Sequence, residues 1–245
     1  MTPESAFAER LRADPSGPLI TFYDDETGER AELSARSLAN WVAKTHHLLG
    51  DELALGPGDR AYVDLPVHWL AAPVLLGCWF AGLEVVLEPA DASVAFGDAD
   101  ALIALRAAGG LSGVDEIFAV SLLSMARSAE PPTGMADYAA SVRPHADAWP
   151  GVHAQGGANT AALDGISRAE LAHRAKERAV RLEFVPGGRL LFRAPSDNGG
   201  RFDAAGLLDA LVVPIVAGGS AVLVRHPDPE RLAGKIEAER VTATL

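Results

Sequence analysis

Apolar positions along this chain fall into short runs of strand length, separated by longer segments at helical spacing. The clearest case runs from Asp59 to Leu87. Tyr62, Val63 and Leu65 make a short apolar run, His68 to Phe80 a helix-length one, and Val85, Val86 and Leu87 a second short run. Two short runs flanking a helix-length segment predict a βαβ unit with parallel strands. Proline disrupts a helix interior, so this helix is expected to start near His68 or Trp69, leaving Pro73 in its first turn.

The same reading extends in both directions. Ala6 to Ala13 patterns as a short amphipathic helix. Leu19 to Tyr23 and Arg30 to Leu33 pattern as strands joined by DDETGE. Leu38, Trp41, Val42, Thr45, Leu48 and Leu49 fall at helical spacing, with Gly50 as the stop. Ser93 to Phe96, Ala99 to Ala108 and Glu116 to Val120 read as strand, helix and strand, and Tyr138 to Val142 as a helical turn. Asp147 to Gly165, with Gly151 among its glycines, has no periodicity and reads as a loop. Ser167 and Glu170 then form a capping box, opening a helix to about Leu182. Arg189 to Arg193 is a strand, Ser196 to Gly200 a loop, and Asp203 to Val216 one helix stopped by Gly218. Ala221 to Val224 is a strand, Asp228 and Pro229 open a helix, and Val241 to Leu245 begins a strand. The expected fold is α/β: two similar lobes, residues 1–148 and 149–245, or one continuous domain. Mainly parallel sheets are flanked by helices.

Composition narrows the function. Of 245 residues, 49% are hydrophobic and 22% charged, enough for a packed core. The net charge of −12 opposes binding of a phosphate backbone, so a nucleic-acid partner is not expected. One cysteine, Cys78, precludes an internal disulfide and a multi-cysteine metal site. Among apolar helix residues it reads as a small core hydrophobe. The N-terminal stretch is charged throughout, and the longest apolar stretch, Trp69 to Leu83, contains a proline and is too short to span a bilayer. These features predict a cytoplasmic chain that makes no membrane contact.

The order of elements resembles the adenylate-forming enzymes, the superfamily of acyl-CoA synthetases, adenylation domains and luciferases. The resemblance rests on LITFYDDETGERAELSARSLANWVAKTHHLL, on LGPGDRAYVDLPVHWLAAPVLLGCWFAGLEVVLEP, and on the capped helix after Ile166 with the strand–helix–strand from Arg189 to Val224. It implies the fold of the N-terminal part of an acyl-CoA synthetase. It also implies a place for the triphosphate in the loop before the capped helix, where the family has a Ser/Thr/Gly-rich segment ending in Pro-Lys. That place holds HAQGGANTAALDGIS. Gly156, Gly157, Asn159 and Thr160 are the relic of the phosphate loop, with no lysine and with Asp164 supplying the opposite charge. Where the family places a histidine lining the acyl pocket, this chain has Phe202, Asp203 and Gly206, with aspartate at the histidine's position. The family's magnesium-holding glutamate, ribose-binding aspartate and C-terminal lysine would fall beyond Leu245.

These departures predict a degenerate, half-length acyl-CoA synthetase-like protein that is not catalytic alone and serves as a binding or interaction module. One alternative is weak retained nucleotide or acyl-ligand binding. Another is AMP-dependent ligase action together with a separate catalytic half. No catalytic residue, metal or cofactor is assigned; ATP or AMP with magnesium is expected only if activity is retained. The expected partner is a second copy or another protein covering the surface left by the missing half. Other candidates read as structural. His46 and His47 are adjacent on a helix and point apart. His68 stands at a helix start, Ser196 to Gly200 forms a turn, and Arg225, His226 and Asp228 form a loop and helix cap.

Overall fold

The computed structural model describes residues 1–147 and 153–245. The expected boundary between residues 148 and 149, and Gly151, lie outside the described residues. Two compact units are present, and they interleave along the chain. One comprises residues 1–38, 66–69 and 168–245; the other comprises 39–65 and 70–167. The sequential halves expected from the sequence differ from this grouping for a simple reason. β1 (Pro18–Asp24) pairs in parallel with β11 (Ser220–Arg225), so the first strand is hydrogen-bonded to one of the last.

In the first unit, β1 and β11 lie in a five-stranded sheet with β2 (Arg30–Ser34), β10 (Arg189–Arg193) and β12 (Ala243–Thr244), in the order β12-β10-β11-β1-β2. Only the edge strand β2 is antiparallel. Leu191, Val222 and Val224 form one face, against which Leu232 and Ile236 of α9 (Pro229–Ala238) pack. The alternate residues Leu190, Ala221 and Leu223 are equally buried, as a parallel sheet covered on both sides requires. α1 (Pro3–Ala13), α6 (Arg168–Arg181) and the segment from Ala204 to Val216 pack on one another. That last segment is not the single regular helix expected. α7 (Ala204–Leu207) widens into a π-helical turn over Leu208–Val212 before α8 (Val213–Val216). Pro214 has no N–H to donate, and the wide turn accommodates it.

A polar network ties this sheet to the end of α9. Glu239, 6% exposed, accepts from the Tyr23 hydroxyl at 2.5 Å and from Arg30 Nη2 at 3.0 Å, and pairs with Arg189 at 3.1 Å. Burial pushes the Glu239 carboxyl up, but the hydrogen bonds from Tyr23 and Arg30 and the charges of Arg189 and Arg30 outweigh it and hold it below the usual carboxylate range. A carboxylate depressed in the folded state contributes stability above its unfolded pKa, about 4.3. That contribution is lost as pH falls through the lower folded value. Urea unfolding at pH 7 and pH 3 should therefore show a larger acid loss in wild type than in Glu239→Gln. Equal losses would mean that the network does not stabilise the charged form.

The second unit holds a seven-stranded sheet ordered β7-β6-β5-β3-β4-β8-β9. The predicted βαβ unit is its centre: β3 (Arg60–Asp64) and β4 (Glu84–Val86) are parallel neighbours joined by α3 (Ala71–Ala81). Every residue of α3 is buried, including Cys78, whose thiol burial pushes up. A helix apolar all round must be enclosed, and this one is. It stops at Gly82, which takes the left-handed conformation (φ 94°) and donates its N–H to the last carbonyls. Beyond β3 lie β5 (Val94–Gly97), α4 (Ala99–Ala107), β6 (Glu116–Ala119) and β7 (Ala136–Asp137), with α5 (Tyr138–Val142) following. α2 (Ala35–His47) does not stop at Gly50. It loosens into a π-helical turn over Leu48–Glu52, which keeps Leu48 and Leu49 buried.

Candidate functional site

The segment expected to be the relic phosphate loop belongs to the second unit. Residues 153–160 are exposed apart from Gly156, which is partly covered. The Gln155 N–H donates to the Phe80 carbonyl at 3.0 Å, in the last turn of α3. Carbonyls there carry the negative end of the helix dipole, which disfavours an anion. Thr160 closes a tight turn, its N–H and its hydroxyl donating to the Gly157 carbonyl at 3.0 and 2.7 Å. Gly157 does not adopt a positive φ, whereas an anion-cradling nest needs residues of alternating hand. Gly157, Asn159 and Thr160 thus sit together on an exposed turn closed by the two Thr160 bonds, with the partly covered Gly156 beside it.

Regular structure resumes sooner than the sequence reading expects. β8 (Ala161–Leu163) joins the sheet beside β4, and β9 (Ile166–Ser167) returns antiparallel to it. Asp164 and Gly165 form the two-residue connection, with φ of 44° and 78°. Positive φ at both positions is the signature of a type I′ hairpin turn, for which Asp-Gly is a preferred pair. The missed signal was this dipeptide, since strands of three and two residues are too short to show a period. The Asp164 carboxylate accepts from the Leu87 N–H at 3.1 Å, and the Gly165 N–H donates to Glu84 at 2.6 Å. Asp164 therefore works as a turn and sheet-edge residue. Beneath the hairpin, the Trp79 indole N–H donates to the Ala162 carbonyl at 2.8 Å.

The second predicted set belongs to the first unit. Phe202 stacks on Phe192 with ring centroids 6.0 Å apart. Asp203 caps α7, its carboxylate accepting from the Gly206 N–H at 2.6 Å. A Cβ on Gly206 would lie 3.1 Å from that carboxylate, so glycine fits the cap closely. Asp203 thus has a local structural role. The preceding loop closes through Asn198, which exchanges hydrogen bonds with the Arg201 backbone.

Among the remaining candidates, His68 is 1% exposed and packs edge-on against Phe22 at 4.5 Å. Burial, then the nearby Arg225, pushes it down to about 3, so it is a neutral core imidazole at physiological pH. Burial and then His47 also lower His46, while His47 bonds Asp51 at 2.7 Å. One grouping escaped the sequence reading. Asp24, Glu26 and His226 converge although the histidine is 202 positions from the aspartate. No spacing within either segment could signal it.

Known proteins place these observations. No family model matches the chain. Among solved structures, it matches the anthranilate CoA ligase AuaEII in complex with anthranoyl-AMP at a TM-score of 0.72 and 14% identity. A Mycobacterium tuberculosis fatty acyl CoA synthetase matches at 0.69 and 16% identity. The two matches cover 96% and 98% of this chain but 47% and 48% of those proteins, so the chain spans about half the length of either. At these identities the likeness concerns fold, and it is the fold of the N-terminal part of an acyl-CoA synthetase. A Mycobacterium tuberculosis H37Rv protein called a TIGR03089 family protein is 40% identical over 237 residues, which cover 96% of this chain and 94% of that protein. With that identity over nearly the full length of both proteins, the chain belongs to the TIGR03089 family.

Proposed function

We propose that this chain is a non-catalytic binding or interaction module built on an acyl-CoA synthetase-like scaffold. The observation that carries this reading is the closed Gly157–Thr160 turn, whose hydroxyl and N–H are spent on an internal carbonyl. A triphosphate cradle needs those donors turned outward and a cation beside them. Here no Lys or Arg occurs from His153 to Gly165, and the loop is anchored to the carbonyl end of α3. The partner is a second copy of the chain or another protein, docking where a ligase would carry its other half.

The test is pyrophosphate release from ATP and magnesium across a panel of aryl and fatty carboxylic acids. The classes follow from the ligases the fold matches. Release is expected to stay at the no-enzyme background with every acid. Turnover with any of them, abolished by heat inactivation, would overturn the non-catalytic reading. Size-exclusion chromatography with light scattering over a hundredfold concentration range separates self-association from a hetero-partner.

A further inference from the structure

We propose that Asp24, Glu26 and His226 bind a divalent first-row transition cation of the zinc class. Each offers one ligand atom, and the three atoms lie within 4.8 Å of one another. His226 Nδ1 is 2.8 Å from Asp24 Oδ1 and 3.2 Å from Glu26 Oε2. Donor atoms bound at about 2.0–2.2 Å to a common metal are themselves roughly 3 Å apart, so little rearrangement is needed to admit an ion between them. An imidazole with two carboxylates selects zinc-like ions over magnesium, which prefers oxygen and water alone.

The placement in the fold supports the same assignment. Asp24 ends β1 and His226 follows β11, so both stand at the carboxyl edge of neighbouring parallel strands, where α/β sheets collect ligands. Asp24 is 5% exposed, and its carboxylate also accepts from the backbone N–H groups of Glu26 and Thr27, which fix its orientation. Asp24 also lines a cavity of about 310 Å³ with Tyr23, Gly28 and Lys235, and the exposed Glu26 and His226 leave the triad open to solvent. The local charge is favourable. Arg225 Nη1 stands 4.0 Å from Asp24, against two carboxylates of the triad. Neighbouring Asp25 and Asp228 are already paired with Lys235 and Arg231.

Calorimetric titration of the chelator-treated chain with Zn²⁺ tests the proposal directly. One saturable site is expected, with Mg²⁺ binding far more weakly. His226→Gln and Glu26→Gln should each weaken Zn²⁺ binding about tenfold or more. Both side chains are substantially exposed, at 40% and 71%, so the variants are expected to fold; far-UV circular dichroism confirms that they do. Absence of binding at millimolar Zn²⁺, equal affinity for Mg²⁺, or wild-type affinity in both variants would each overturn the assignment.

Discussion

Glu4→Ala should lower the unfolding free energy of the first unit by about 3–5 kcal/mol, the cost of breaking a buried ion pair by removing one partner. Glu4 is 1% exposed and Arg168 fully buried, and they meet at 2.6 Å between α1 and α6. Removing the carboxylate takes away the negative charge 2.6 Å from the buried guanidinium, so less of its desolvation cost is offset. The pair is not itself a large source of stability. Exchanging both ends for apolar groups, Glu4→Leu with Arg168→Met, should recover most of the loss, because neither charge then has to leave water. Urea unfolding followed by circular dichroism for Glu4→Leu, Arg168→Met and the double variant completes the cycle. Additive losses in the double variant would show that the two residues act independently and that the ion pair is not the cause.

Trp79→Ala should cost the second unit a similar amount, about 3–5 kcal/mol, through loss of packing at a site 1% exposed. Two separable effects contribute. The indole projects from α3 into the buried core, and its N–H satisfies the Ala162 carbonyl of β8. Trp79→Phe keeps most of the volume and drops the donor, so it should cost less, with about 1–3 kcal/mol assignable to the stranded carbonyl. Because β8 follows the candidate loop directly, hydrogen exchange of residues 153–167 should quicken in both variants. Unchanged exchange there would mean that Trp79 supports the helix alone and not the hairpin.

The fold was legible wherever apolar runs were long enough to show a period. The β3–α3–β4 unit, the helix α6 and the Asp228–Pro229 start of α9 all follow from local chemistry. Readings failed where geometry depends on distant partners. The π-helical turns at Leu48–Glu52 and Leu208–Val212 keep the same apolar spacing as an α-helix and differ only in how the backbone closes around buried side chains. The β8–β9 hairpin is specified by two residues, Asp164 and Gly165, within a segment otherwise resembling a loop. For the candidate site, residue identity alone showed the missing lysine. The closed hydrogen-bonding of Thr160 and the capping role of Asp203 needed coordinates. The Asp24–His226 meeting is a product of strand pairing, and pairing between the first and eleventh strands leaves no trace in either stretch of sequence.

That pairing has a consequence for how the chain is made. Ile20 waits for Ala221, roughly 200 residues later, before β1 gains its parallel neighbour. At translation rates of about 5–20 residues per second, this is a delay of tens of seconds or less. Throughout it, β1 and β2 can form only a two-stranded hairpin, which is marginal in water. Residues 39–65 and 70–167, by contrast, emerge as one nearly unbroken stretch and can complete their own sheet meanwhile. The nascent chain therefore carries an apolar ribbon, Leu19 to Phe22, that stays sticky until about the last tenth of synthesis.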